Sequence, residues 1–168
     1  MALIDQETAQ KIYQDLPNPI QTSGGSAGNT MAAYASLGGT GAYIGKTGND
    51  ELGQEFRDDI TSQGVTFTTS PLNGDTPTAF SMIIVTPDAQ RTMNTYLGAA
   101  GLVTTDDIDE DLIKNSAVTY LEGYLFDRDE SKEAFYKASE LTKKHGKKLA
   151  LTLSDTFCVE RFKSEFKN

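Results

Sequence analysis

Between Gly24 and Gly53 glycine interrupts the chain three times, and the order of the breaks leaves little freedom in how it folds. Gly24-Gly25-Ser26-Ala27-Gly28-Asn29 is a polar turn that runs straight into a helix of small residues. Gly38, Gly39 and Gly41 stop that helix and lead to the apolar Ala42-Tyr43-Ile44, which reads as a buried strand. Gly45-Lys46-Thr47-Gly48-Asn49-Asp50 then opens a second helix, with Gly53 in its first turn. Glycines before a helix let backbone N–H groups approach a ligand that any Cβ would hold off. Asn29 adds a side chain that both donates and accepts hydrogen bonds. The arrangement suits a polyhydroxylated small molecule held against backbone.

Two familiar phosphate motifs fail on context. Gly41-Ala42-Tyr43-Ile44-Gly45-Lys46-Thr47 lacks the first glycine of a P-loop, whose place Thr40 takes, and its middle is apolar strand rather than flexible loop. Gly39-x-Gly41 is no dinucleotide fingerprint, because it follows a helix and opens a strand, the reverse of that motif's context. Gly38-Gly39 reads as a helix stop.

The remaining elements follow from periodicity and punctuation. Residues 4–16 form a helical pattern that Pro17 ends, and residues 20–23 read as a short strand entering the glycine turn. Residues 27–37 and 50–63 read as helices, the second with Leu52, Phe56 and Ile60 spaced by four. Strand patterns crowd into 65–70, 78–86 and 92–96, with turns at Asn73-Gly74-Asp75 and Pro87-Asp88. Helix 109–115, strand 117–122, helix 130–145, strand 148–153 and a helix start near 159–166 complete the chain. This alternation predicts a parallel sheet with helices on both faces and ligands at the carboxyl ends of its strands. Gly123-Tyr124 and Ser154-Asp155 lie just past two such ends.

At 168 residues, 38% of them hydrophobic, the chain is long enough for one packed domain. Its net charge of −9 argues against nucleic-acid or anionic-membrane partners, and the single Cys158 fits a reducing, cytoplasmic setting. No apolar run reaches spanning length, and residues 1–20 carry no signal-peptide pattern. The acidic run Asp106, Asp107, Asp109, Glu110, Asp111 lacks the calcium-loop pattern and reads as helix N-terminal charge. His145, among lysines at a helix end, reads as dipole complement. Cys158 reads as a packed thiol. No metal site is expected in these residues.

The motif order resembles the first signature of the ribokinase/PfkB family of sugar and nucleoside kinases. Its residues here are Gly24-Gly25, Asn29, Ala32-Ala33, Leu37-Gly38, Ala42-Tyr43-Ile44, Gly45, Gly48, Asp50 and Gly53. Arg91 to Ala99, Tyr120 to Leu125 and Leu153 to Cys158 are similar to the adenosine-kinase-like branch. The resemblance implies an α/β fold, a ribokinase-like three-layer sandwich with a small β-rich lid, here incomplete. Lid-like segments would be about 17–24 and 65–97, and α/β core segments about 25–64 and 98–168. It also implies transfer of a phosphoryl group from ATP, with Mg2+, to a ribose-type primary hydroxyl of a small nucleoside or sugar. A fructose- or ribose-type sugar kinase and a non-catalytic binding or interaction protein on the same fold remain as alternatives, and oligomeric state stays open.

On this resemblance Gly24 and Gly25 hold the acceptor ribose against backbone, rather than forming an ordinary turn. Asn29 binds its hydroxyls, although Asn also suits a helix N-cap. Ser26 sits at a polar substrate-side position, or caps the helix. Arg91, taken alone, is a solvated hairpin residue; the resemblance puts it on the lid near the transferred phosphoryl group, where a guanidinium fork suits phosphate oxygens. Met93 and Leu97 supply apolar cover for a base, or plain strand packing, and Tyr124 stacks on the base. Glu122 is either a polar reader at the same rim or a solvated residue.

The family's second signature, close to Gly-Ala-Gly-Asp, which supplies the anion hole and the catalytic base, does not occur in residues 1–168, nor does its Asn-x-x-Glu motif. The family's first strand, with its substrate-binding Asp, is expected to precede residue 1. The chain therefore reads as a piece of a kinase that supplies the acceptor half, most of the ATP site lying elsewhere.

Overall fold

The computed structural model describes residues 2–167. Helix starts follow side-chain caps. The Asp5 carboxylate accepts the Thr8 N–H at 2.8 Å and starts α1 (Gln6–Asp15). Asp50 accepts the Gly53 N–H at 2.9 Å and starts α3 (Glu51–Ser62). Gly25 instead begins α2 (Ser26–Ser36) with backbone alone, at φ +90° and without a side-chain cap. Only glycine adopts that φ without strain. Asn29 lies a full turn inside α2, so it does not cap the helix.

Two antiparallel strands, β2 (Phe80–Val85) and β3 (Arg91–Tyr96), form a hairpin closed around Pro87-Asp88. An unexpected two-residue strand, β1 (Ala2–Leu3), pairs parallel with β3 at Asn94 and Thr95. The register sorts the hairpin's faces. Phe80, Met82 and Tyr96 share one, where Met82 is buried and Phe80 tilts onto Tyr96 at 5.5 Å. Ser81, Ile83, Val85, Arg91, Met93 and Thr95 share the other, where Ile83 is 52% and Val85 62% exposed.

The second half carries a two-stranded parallel sheet, β4 (Val118–Glu122) and β5 (Lys148–Thr152). α4 (Glu110–Asn115), with its N-cap Asp109, comes before β4; α5 (Asp129–Lys144) connects β4 to β5, and α6 (Thr156–Phe162) follows, capped by Asp155. The buried residues Ser131, Ala134, Phe135, Ala138 and Thr142 recur at three- and four-residue steps along α5, the stripe of a helix packed on a sheet. The Thr142 hydroxyl meets that of Thr119 on β4 at 2.8 Å. Ile113, Leu121, Phe126, Phe135 and Ala138 form the core of this half, with Phe162 and Phe166 packed onto it. Val118, Tyr120, Leu149 and Leu151 remain exposed.

Several expected strands take other forms. Residues 20–23 form none; Gln21 bonds Glu55 and Ser23 bonds Asp59, so this segment is tied to α3 by side chains instead of a ladder. The apolar runs near 42–45 and 65–70 are reduced to the isolated parallel bridges Ala42–Thr66 and Gly48–Leu72. Their hydrophobicity is spent on packing. Tyr43, Phe56 and Phe67 meet edge to face, with centroids 5.1–5.9 Å apart, over Ile60 and Val65. Among the described residues, the parallel sheet expected with helices on both faces has two hydrogen-bonded strands, with α5 on one face. No helix of the described residues is long and apolar enough to cross a membrane.

Candidate functional site

The carboxyl ends of β4 and β5 and the start of α2 meet at one rim. Glu122 ends β4 and Ser154 lies just beyond β5 at φ +71°, a backbone state uncommon for serine. The Ser154 hydroxyl accepts the Tyr124 N–H at 3.2 Å and donates to Glu122 Oε2 at 3.5 Å, a distance that marks a loose contact. Burial pushes the Glu122 carboxyl above its usual range, opposed by hydrogen bonds from the hydroxyls of Ser26 and Ser154. Its second oxygen, Oε1, is buried and has no hydrogen-bond partner among the described residues. A buried polar atom without a partner is costly, and a ligand hydroxyl would satisfy it. Tyr43, hemmed in by Phe56 and Phe67, is raised to about 12 by burial and then by the charge of Glu122.

The rim brings Ser26 to Glu122 and, through Ser154, to Tyr124, three positions far apart in sequence. The Tyr124 phenol is raised to about 12, first by burial and then by the Asp155 carboxylate beside it. Asp155 also accepts the Cys158 N–H at 2.8 Å, which fixes the start of α6, and Cys158 is fully buried. An open depression of about 660 Å3 adjoins Ser154 and is lined by Asp155, Thr156, Val159 and Glu160.

On the other side of the glycine turn, Ser23, Gly24, Gly28, Asn29, Ala32 and Phe56 line a small cavity of about 50 Å3. Gly24 is open, with nothing within 4 Å of where a Cβ would project; Gly28 instead faces the Phe56 ring at 3.3 Å. One glycine leaves room and the other permits close helix packing. Asn29 is exposed beside this cavity.

Arg91, Met93 and Leu97 belong to the hairpin and its exit, not to the strand ends that form the rim. Arg91 begins β3, is exposed and makes no salt bridge among the described residues. Met93 follows on the same open face, opposite Ile83, and Leu97 comes just past the strand's end, before the 3-10 turn Gly98–Leu102.

Sequence reasoning left Glu122 undecided and overlooked two features. Lys46 pairs with Asp107, both side chains almost covered at 12% and 8% exposure, and Thr104 bonds Asp107 in turn. Asp50, read only as part of a glycine pattern, binds Thr78 from across the fold, its Oδ2 accepting the Thr78 N–H at 2.8 Å. The acidic run 106–111 does supply helix caps at Asp107 and Asp109.

The profile of the pfkB family carbohydrate kinases matches residues 5–168. The chain is similar to the crystal structure of adenosine kinase from Sinorhizobium meliloti, with 49% identity and a TM-score of 0.94 over 99% of this chain and 51% of that one. A probable sugar kinase from Rhizobium etli CFN 42 is 46% identical, with a TM-score of 0.94, over 99% of this chain and 50% of that one. Fructokinase-1 of Zea mays is 26% identical over 134 residues, 79% of this chain and 42% of that protein. The chain thus spans about half the length of the solved relatives and less than half of the curated one.

Proposed function

Since the chain belongs to the pfkB family of carbohydrate kinases and has a ribokinase-like α/β fold, we propose that it forms the acceptor-binding part of an ATP-dependent kinase. Its acceptor is adenosine, phosphorylated on the ribose primary hydroxyl. The observation that carries this reading is the convergence of the Gly25–Ser26 helix start on Glu122 and Ser154 at the strand ends.

In such a transfer the acceptor hydroxyl oxygen bonds to the γ-phosphorus, the bond to ADP breaks, and the hydroxyl proton passes to a base. The protein's work is positioning and charge stabilisation. Gly24 and Gly25 offer open backbone to the ribose, and Asn29 and Ser26 offer hydrogen bonds to its hydroxyls. Tyr124, Met93 and Leu97 supply aromatic and apolar cover for the base. Arg91, free of any salt bridge among the described residues, meets the phosphoryl charge as the lid closes. The base that takes the proton belongs to the family's second signature, which residues 1–168 do not contain. Among the described residues no three His, Cys, Asp or Glu side chains are grouped to hold a metal, so no step is assigned here to magnesium.

A sugar acceptor is the second reading, with which the unpartnered Glu122 Oε1 is equally compatible. A carboxylate oxygen accepts from a sugar hydroxyl as well as from ribose, and a bare sugar needs no aromatic cover. Calorimetric titration of the purified chain with adenosine, ribose and fructose separates these readings. Adenosine should bind most tightly, and Asn29→Ala should weaken it about three- to tenfold, since an ordinary hydrogen bond contributes about 0.5–1.5 kcal/mol net. Tighter binding of fructose would favour the sugar reading. Saturable binding of none of the three would leave a non-catalytic interaction protein.

A further inference from the structure

The hairpin β2–β3 is joined to the rest of the chain by two short passages, and both run through one knot of backbone. Before β2 stand Pro77 and Thr78; after β3 stand Gly98 and Ala99. The Ala99 N–H donates to the Pro77 carbonyl at 2.9 Å, and a Cβ on Gly98 would lie 2.3 Å from that same oxygen. The knot is fastened to the start of α3. Asp50 Oδ2 accepts the Thr78 N–H at 2.8 Å, Asp50 Oδ1 accepts the Thr78 hydroxyl at 2.5 Å, and the Gly48 N–H donates to the Thr78 oxygen at 2.8 Å. Thr78, Gly48, Gly53 and Gly98 are all buried. Burial alone would raise the Asp50 carboxyl, but the bonds from Thr78 and Gly53 hold it below its usual range.

We infer that Asp50 and Thr78 are positioning residues for Arg91, anchoring both legs of the hairpin so that the guanidinium reaches a fixed point. This rests on the kinase reading of Arg91 given above. The leverage is large. β3 runs from Arg91 to Tyr96, and at about 3.3 Å per residue its far end stands roughly 17–20 Å from the anchor. A 10° swing at the anchor therefore moves Arg91 by about 3 Å, when a misplacement of about 1 Å already costs around a hundredfold in rate. Three glycines are needed here because the anchor leaves no room: a Cβ at Gly48, Gly53 or Gly98 would meet backbone oxygen at 2.7 Å or closer.

The test is amide hydrogen exchange on the purified chain, comparing the parent with Thr78→Val and Thr78→Ser. Valine keeps the volume but removes the hydroxyl that both accepts and donates; serine restores it. Exchange across residues 80–96 should rise about tenfold or more in Thr78→Val, while α5 stays within about twofold and Thr78→Ser returns to the parent. Trypsin cleavage after Arg91 should accelerate in the same order. Asp50→Asn replaces Thr78→Val if that variant does not fold, with the same expected pattern. Exchange that rises equally in the hairpin and α5, or in neither, would overturn the anchor. The readout needs no turnover, so a selectively loosened hairpin in a chain that binds no acceptor would count against the kinase reading alone.

Discussion

Gly53→Ala sets two physical effects against each other. In an exposed helix interior, alanine is better than glycine by about 1 kcal/mol, so propensity alone expects stabilisation. The structure expects the reverse. A Cβ at Gly53 would lie 2.4 Å from the Gly48 carbonyl oxygen, 2.8 Å from Thr78 Oγ1 and 3.1 Å from Asp50 Oδ1. The first of these is backbone and cannot rotate away. Relieving the overlap costs about 1–3 kcal/mol, as for overpacked cores generally. It also stretches the Asp50–Thr78 contacts, and a hydrogen bond to a charged group contributes about 1.5–3 kcal/mol. Set against the propensity gain, the net is a loss of about 1.5–5 kcal/mol, the upper end if the Asp50–Thr78 contacts are lost outright, or a fall in Tm of roughly 3–20 °C for a chain this size. Thermal unfolding followed by far-ultraviolet circular dichroism reads this directly. Gly24→Ala is the matched control: its Cβ meets nothing within 4 Å, so its Tm should stay within about 2 °C. A Gly53→Ala protein as stable as the parent, or more so, would refute the steric reasoning and the tight anchor with it.

Arg91→Lys, in an enzyme that carries both family signatures, should lower kcat with little change in acceptor KM, because lysine keeps the charge but not the guanidinium fork; steady-state kinetics with equal kcat would leave Arg91 a surface residue. Glu110 is held at about 2, chiefly by the hydrogen bond from Lys144 and next by that from His145. Its contribution to stability is therefore present above its ordinary value near 4.5 and lost as pH falls towards 2, so the Tm difference between the parent and Glu110→Gln should shrink across that window. A difference that stays constant down to pH 2 would contradict the pairing. The chain alone should release ADP from ATP at background rate with adenosine, ribose or fructose, since residues 1–168 carry no Gly-Ala-Gly-Asp segment; acceptor-dependent turnover would mean that the catalytic groups lie elsewhere than supposed.

The helices were legible because their starts are written in side chains. Asp5, Asp50 and Asp109 each stand at an N-cap and each accepts a backbone N–H, whereas α6 begins at Thr156, earlier than the 159–166 expected, because Asp155 was read as a strand-end residue and not as its cap. The hairpin was legible from Pro87-Asp88 and its flanking alternation. Residues 42–45 and 65–70 were misread as full strands because an apolar run states that a segment is buried, not that its backbone forms a ladder. There the aromatic triad of Tyr43, Phe56 and Phe67 does the burying. β1 was missed because two residues hold too short a pattern, and its pairing is fixed wholly by the distant β3. At the rim, glycines and Ser26 stood out, but the unsatisfied state of Glu122 Oε1 is a property of three-dimensional enclosure that no local spacing encodes.

The pairing of β1 with β3 also has a kinetic side. Ala2 and Asn94 can meet only after the intervening chain has been closed into a loop, at an entropic cost of about 4 kcal/mol by the (3/2)RT ln n rule. Two residues of ladder return little against that cost. The hairpin, whose strands are adjacent in sequence, has no such barrier. The third strand should therefore arrive last in folding and leave first on unfolding. Amides paired across Ala2–Asn94 and Leu3–Thr95 would then report the earliest loosening of the whole sheet, well before β2 and β3 part.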